Sequence, residues 1–167
     1  MRGPVTRNKS RTPFPGRHTP GRRAVYRILL WLYLALLFYL TWFPGPFRRA
    51  GGAVGINLTP FATIRRYIHM EGTAAWINLA GNLAAFLPLG FLGPRSFVRY
   101  SRWWHTVLIS LCVSLLVEAV QYLTGMGSLD VDDVIINILG GLAGFLLHRL
   151  CRLVYDNSHY TRGEFNK

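Results

Sequence analysis

Four stretches of this chain are apolar at nearly every position: residues 24–43, 76–93, 104–123 and 134–150. Neither the alternation of a half-buried strand nor the stripe of a surface helix governs them. As helices rising 1.5 Å per residue they reach about 25–30 Å, the thickness of a bilayer core. The first carries one charge, Arg27, in its first turn. The pattern predicts an all-α fold, an integral membrane four-helix bundle. It predicts three segments: a basic disordered tail over 1–23, a four-span domain over 24–151 and a short tail over 152–167.

The polar positions that interrupt these runs fall at helical spacings. Ser110, Ser114, Glu118 and Gln121 recur every four or three residues and form one stripe. Asn78 and Asn82 share a face of the second run, where Gly81 and Ala85 would let a neighbouring helix approach closely. Pro88, deeper in that run, should kink or break it. Asp133, Asn137, Gly140 and Gly144 line one face of the fourth run, with a polar head above a small-residue seam. An ionisable group within a span costs at least about 2.5 kcal/mol on insertion scales, so Glu118 should face the bundle interior.

Charge orients these segments. The chain holds 19 Lys and Arg against 7 Asp and Glu, a formal net charge of +12. The cations crowd the two tails and the loop between the second and third runs; only Arg48, Arg49, Arg65 and Arg66 fall on the other side. By the positive-inside tendency both termini are cytoplasmic. No nucleic-acid-binding motif accompanies the basic excess, so nucleic acid is not the expected partner. Cys112 and Cys151 have no metal-ligand spacing and read as small apolar packing residues. The first run is too long for a signal peptide and lacks a small-residue cleavage pattern, so it reads as a retained anchor. These runs place the chain in a membrane that it crosses four times.

In this topology the longest connection, residues 44–75, lies outside. Asn57 or Thr59 could cap a short interfacial helix there, with Pro60 near its first turn and Arg65-Arg66 on it. Asn57, Asn78, Asn82, Glu118, Gln121, Asp130, Asp132, Asp133 and Asn137 then map within a turn or two of the outer face, whereas the cytoplasmic halves of the helices read as almost wholly apolar. Taken singly, each polar residue has a plain role as helix cap or interhelical hydrogen bond. As a group, with Glu118 beneath a set of acids, they predict a polar outer-leaflet pocket.

In order along the chain stand Asn57-Leu58-Thr59-Pro60-Phe61, Asn78-Leu79-Ala80-Gly81-Asn82, Phe86-Leu87-Pro88-Leu89-Gly90, Glu118-Ala119-Val120-Gln121, and Asp130-Val131-Asp132-Asp133 followed by Asn137 and Gly140-Gly141. This series resembles the VanZ-like family of bacterial membrane proteins. One departure is visible: where many members carry an arginine before the Asp-x-Asp-Asp element, this chain has Thr124-Gly125-Met126-Gly127-Ser128. A cationic partner for the acids is then either absent or replaced by Arg65 or Arg66. The resemblance implies a cell-envelope role and lowered sensitivity to teicoplanin-type glycopeptides.

The ligand-binding residues expected on these grounds are Asn57, Pro60, Phe61, Arg65, Asn78, Asn82, Glu118, Gln121, Asp130, Asp132, Asp133 and Asn137. The expected ligands are membrane lipid and an amphiphile such as a lipid-linked cell-wall precursor or a lipoglycopeptide. No metal and no cofactor are expected. Two alternatives remain beside this reading. One is a metal-assisted enzyme on lipid-linked substrates, with Glu118 and an aspartate binding Mg²⁺. The other is an accessory subunit of an envelope complex, or a homo-oligomer, packing through Gly140 and Gly144.

Overall fold

The computed structural model describes residues 20–42, 55–69, 73–125 and 127–164. The arginines at 48 and 49 and the tail before residue 20 lie outside them. Helices α1 (Pro20–Trp42), α3 (Thr73–Ser96), α4 (Trp103–Leu123) and α5 (Val131–Glu164) are joined by a short helix α2 (Ala62–His69) and two strands, β1 (Ile56–Asn57) and β2 (Leu129–Asp130). Four segments are long and apolar enough to cross a membrane: Gly21–Thr41, Trp76–Ser96, Trp103–Leu123 and Val131–Tyr155. The chain is a multi-pass membrane protein, with the start of α1 and the end of α5 at the same end of the bundle.

The boundaries differ from expectation in three places. α1 begins at Pro20, where a first-turn proline sacrifices no intrahelical hydrogen bond. α3 runs unbroken through Pro88 and Pro94. Pro88 removes a backbone donor near midspan, and the neighbouring helix α1 supplies a polar contact in that turn: Tyr33 donates its hydroxyl proton to the Ala85 carbonyl at 2.6 Å. α5 continues 34 residues to Glu164 in place of a loose tail, about 51 Å long and so well beyond one bilayer core. α4 ends where the Thr124 hydroxyl and N–H both return to the Val120 carbonyl and Gly125 takes a φ of 67°.

The burial pattern inverts that of a water-soluble bundle. Leu29, Leu32, Leu36 and Leu40 of α1, Leu108, Leu115 and Leu116 of α4, and Leu139, Leu146 and Leu150 of α5 point outward, toward lipid. Ser110, Ser114, Glu118, Asp130, Asp132, Asp133 and Asn137 are buried. With no hydrophobic gain from bringing apolar helices together in lipid, close packing and internal polar contacts must hold them. α3 and α5 form the central pair, α1 leans on α3, and α4 packs on α5. Leu30, Leu37, Phe86 and Leu89 fill the apolar core between α1 and α3.

The α3–α5 contact is a glycine seam. A Cβ at Gly140 would stand 2.2 Å from the Leu83 carbonyl oxygen, and one at Gly144 would stand 2.0 Å from that of Leu87. Those two glycines, expected as a face for another copy, are covered by α3 of the same chain. Gly81, expected to admit a neighbouring helix, has open space around its Cβ position. Cys112 and Cys151 are exposed on the bundle surface and are not packing residues.

Candidate functional site

The expected site residues converge where the two short strands meet. Ile56 pairs with Leu129 and Asn57 with Asp130, in parallel, and the Leu129 N–H donates to the Gly55 carbonyl at 3.0 Å. This pairing lays the loop between α1 and α3 across the entrance to α5. Past β1 the chain turns sharply. Asn57 Oδ1 accepts the Thr59 N–H at 3.2 Å, and Phe61 adopts a positive φ of 63°, a strained conformation for a bulky residue. α2 follows at once.

The first N–H groups of a helix have no partner within it, and its dipole favours an anion there. Asp132 fills that role from 70 residues away. Its Oδ1 accepts the Phe61 N–H at 2.5 Å, and its Oδ2 accepts the Thr63 and Ile64 N–H groups at 2.7 and 3.1 Å. Asp132 is 0% exposed. The cap expected from Asn57 or Thr59 thus comes from the start of α5.

Asp130 completes the junction. Its Oδ1 accepts the Asn57 Nδ2–H at 3.1 Å and the Asp132 N–H at 2.9 Å, while its Oδ2 accepts the Thr63 hydroxyl at 2.6 Å. Asn57 Nδ2 also donates to Thr63 Oγ1 at 3.0 Å. The Asp130 N–H donates to Glu118 Oε2 at 3.1 Å, which joins α4 to the same network. Deeper in the bundle, Asn82 Nδ2 donates to Asp133 Oδ1 at 2.8 Å, and Asn137 Nδ2 to Ser114 Oγ at 2.9 Å. These bonds tie α5 to α3 and to α4.

Asn57, Glu118, Asp130 and Asp132 therefore form one network, with Asn82–Asp133 and Ser114–Asn137 as pairs below it. Phe61 enters through its backbone only; its side chain is 56% exposed, and Pro60, Arg65 and Arg66 are exposed beside it. Gln121 lies at the edge, its carbonyl accepting the Gly127 N–H at 3.1 Å. Asn78 is half-buried on α3 and makes no hydrogen bond to the network. Thr63, which sequence reasoning missed, is a central member: buried, and bonded through both its N–H and its hydroxyl.

The chemistry is that of a latch. Charge-assisted hydrogen bonds from backbone, amide and hydroxyl donors occupy the carboxylates of Asp130 and Asp132, the role expected of Arg65 or Arg66. What faces outward is an apolar and basic rim: Leu58, Phe61 and Ile68, with Arg65 and Arg66. Among the described residues, no three His, Cys, Asp or Glu side chains group as a metal site.

A second polar cluster lies at the opposite end, where apolar helix halves were expected. Buried His148 of α5 meets the Arg95 guanidinium of α3, which stacks 3.8 Å from the Phe91 ring centre. Arg27 Nε donates to the Ser96 carbonyl at 3.3 Å and lies 5.5 Å from the Phe97 ring centre. Arg95 and His148 sit near the ends of apolar runs, a place the sequence marks only as a topology signal.

Gly81 allows a direct check on the α3 face. With no atom within 4 Å of its Cβ position, Gly81→Ala is expected to leave the thermal midpoint in detergent unchanged or to stabilise by up to about 1 kcal/mol through helix propensity. A fall in the midpoint would mean that another helix packs there.

The VanZ/LLP1 family model matches residues 30–152. Protein VanZ of Enterococcus faecium is 29% identical over 145 residues, covering 84% of this chain and 81% of that protein. No solved structure matches the chain. With the polar latch and the two middle spans inside the matched segment, and most of the first and last spans as well, the chain belongs to the VanZ/LLP1 family.

Proposed function

We propose that this protein acts in the bacterial cell envelope, in the cytoplasmic membrane. In this reading, the end of the bundle away from the termini receives an amphiphile: a lipid-linked cell-wall precursor or the tail of a lipoglycopeptide. Sensitivity to teicoplanin-type antibiotics falls as a result. The observation that carries the reading is Phe61. A strained, exposed aromatic is held in place by a fully buried carboxylate, and such strain persists only where the surroundings enforce it. Around it, Leu58 and Ile68 offer apolar surface at headgroup depth, and the planar forks of Arg65 and Arg66 suit a phosphate. In this reading the acids support the site from behind and do not touch the ligand.

The test is susceptibility. A deletion strain should become more sensitive to teicoplanin than to vancomycin, which lacks the lipid tail, and wild-type protein should restore the original level. A Phe61→Ser, Arg65→Gln double variant, altered only at exposed side chains, should behave like the deletion at equal protein abundance. Glu118→Ala should do so as well, through loss of the supporting network. Full complementation by the surface double variant would overturn the proposal.

A further inference from the structure

A second apolar feature opens near the termini, at the far end of the bundle from the latch. α1 leans on α3 and touches α4 little, which leaves a cleft of about 280 Å³ between α1 and α4. Its walls include Trp31 and Leu34 of α1, Gly93 of α3, Phe97 and Tyr100 of the following turn, and Val113 of α4. All these helices span the membrane, so the cleft faces acyl chains and not water. Its volume is at the lower edge of what small-molecule sites enclose, a size for one chain rather than a bulky ligand.

A cleft lined by hydrocarbon does not by itself choose among lipids, because lipid tails are as apolar as leucine. The rim makes the choice. Arg27 lies one turn before Trp31 and is held by the Ser96 carbonyl and the Phe97 ring, so its charge is fixed at the mouth. Exposed Arg99 flanks Tyr100 directly, and exposed Arg102 starts the helix whose next turns line the cleft. No Asp or Glu occurs between residues 72 and 117, nor before residue 71. Basic pockets between transmembrane helices on the cytoplasmic side are suited to anionic headgroups.

We infer that this cleft is a binding site for an anionic phospholipid of the leaflet nearest the termini, with one acyl chain between α1 and α4 and the phosphate at Arg27, Arg99 and Arg102. The site is separate from the latch and independent of the function proposed for it. It gives the loosely packed α1 a second partner beside α3.

Gly93 makes the inference testable, because its Cβ position meets no atom within 4 Å although the residue lines the cleft. The full-length protein, purified in detergent, is titrated by native mass spectrometry with phosphatidylglycerol and with phosphatidylcholine of the same chains. The wild type should bind phosphatidylglycerol about tenfold more tightly, a preference in keeping with several arginines near the surface. Gly93→Phe should weaken both lipids at least about tenfold by filling the cleft; Gly93→Leu serves the same purpose if the larger ring disturbs folding. Arg99→Gln with Arg102→Gln, both exposed, should weaken phosphatidylglycerol at least about threefold, leaving only the preference that Arg27 supplies, and leave phosphatidylcholine unchanged. Equal wild-type affinity for the two lipids would overturn the site. So would undiminished binding by a folded Gly93 variant, or oleate binding as tightly as phosphatidylglycerol.

Discussion

Asp132→Ala is expected to detach the loop of residues 55–69 and to lower stability by about 3–5 kcal/mol. Three backbone N–H groups, of Phe61, Thr63 and Ile64, lose their shared acceptor at once. Hydrogen bonds to a charged group contribute about 1.5–3 kcal/mol each, and they are not additive on one carboxylate. The loss extends further, since without the Asp132 anchor Phe61 has little to hold it at a positive φ. Asp132→Asn should fall between the two, because one amide oxygen can still accept while its NH₂ faces donors. Thermal unfolding in detergent gives the magnitude, and limited proteolysis at Arg65-Arg66 reports the loop. A protected loop in the alanine variant would mean that strand pairing alone suffices. The same variant should lose whatever protection the protein gives against teicoplanin-type drugs.

The second large effect is expected at the glycine seam. In Gly144→Ala the new methyl would lie 2.0 Å from the Leu87 carbonyl oxygen and 3.0 Å from the Phe91 nitrogen. Both are backbone atoms, so no side-chain rotation relieves the clash, and α3 must move away from α5. Gly90→Ala meets the same obstacle from the other side, 1.8 Å from the Gly141 oxygen. Overpacking costs typically about 1–3 kcal/mol and more where backbone must move. We expect about 3 kcal/mol for each, seen as a lower thermal midpoint and loss of a monodisperse species on size exclusion. Gly141→Ala is the informative contrast, because its nearest neighbour is the Ser110 hydroxyl at 2.1 Å. Pairing it with Ser110→Ala should recover much of the loss, whereas no side-chain change on α3 should rescue Gly144→Ala. Unaltered midpoints in both seam variants would place the helices in a different register.

The spans were legible because lipid imposes a simple demand: long, uncharged helices with every backbone group satisfied internally. The interior stripe of Ser110, Ser114 and Glu118 was legible for a related reason, since polar groups in a span have only the bundle to face. The role of the acids was not. Spacing puts Asp130, Asp132 and Asp133 at the head of a helix, where an N-cap is the ordinary reading. The structure instead gives Asp132 to α2, and pairing over such a distance leaves no local trace. Thr63 was missed because its neighbours mark it only as a helix residue, and its importance comes from the strand register that carries Asp130 to it. Arg95 and His148 were passed over because arginines near span ends were credited to topology alone. Pro88 was expected to disrupt α3, yet the helix runs on through it, and whether a proline in a span breaks or merely loosens its helix depends on the packing around it, which sequence spacing does not show.

The separation of the latch's halves also orders the molecule's assembly. Asn57 and Asp130 stand 73 residues apart, and Thr63 and Asp132 stand 69 apart. When the loop of residues 55–69 is first made, the segment that will hold it has not yet been synthesised. The amides of Phe61, Thr63 and Ile64 must wait on water or lipid headgroups until α3 and α4 have inserted and α5 has begun to enter. Closure of this end is therefore the last step in maturation, and it reports that every span has threaded in the right direction. A chain cut short before residue 130 would lack both Asp130 and Asp132, and its loop would have no carboxylate to close on.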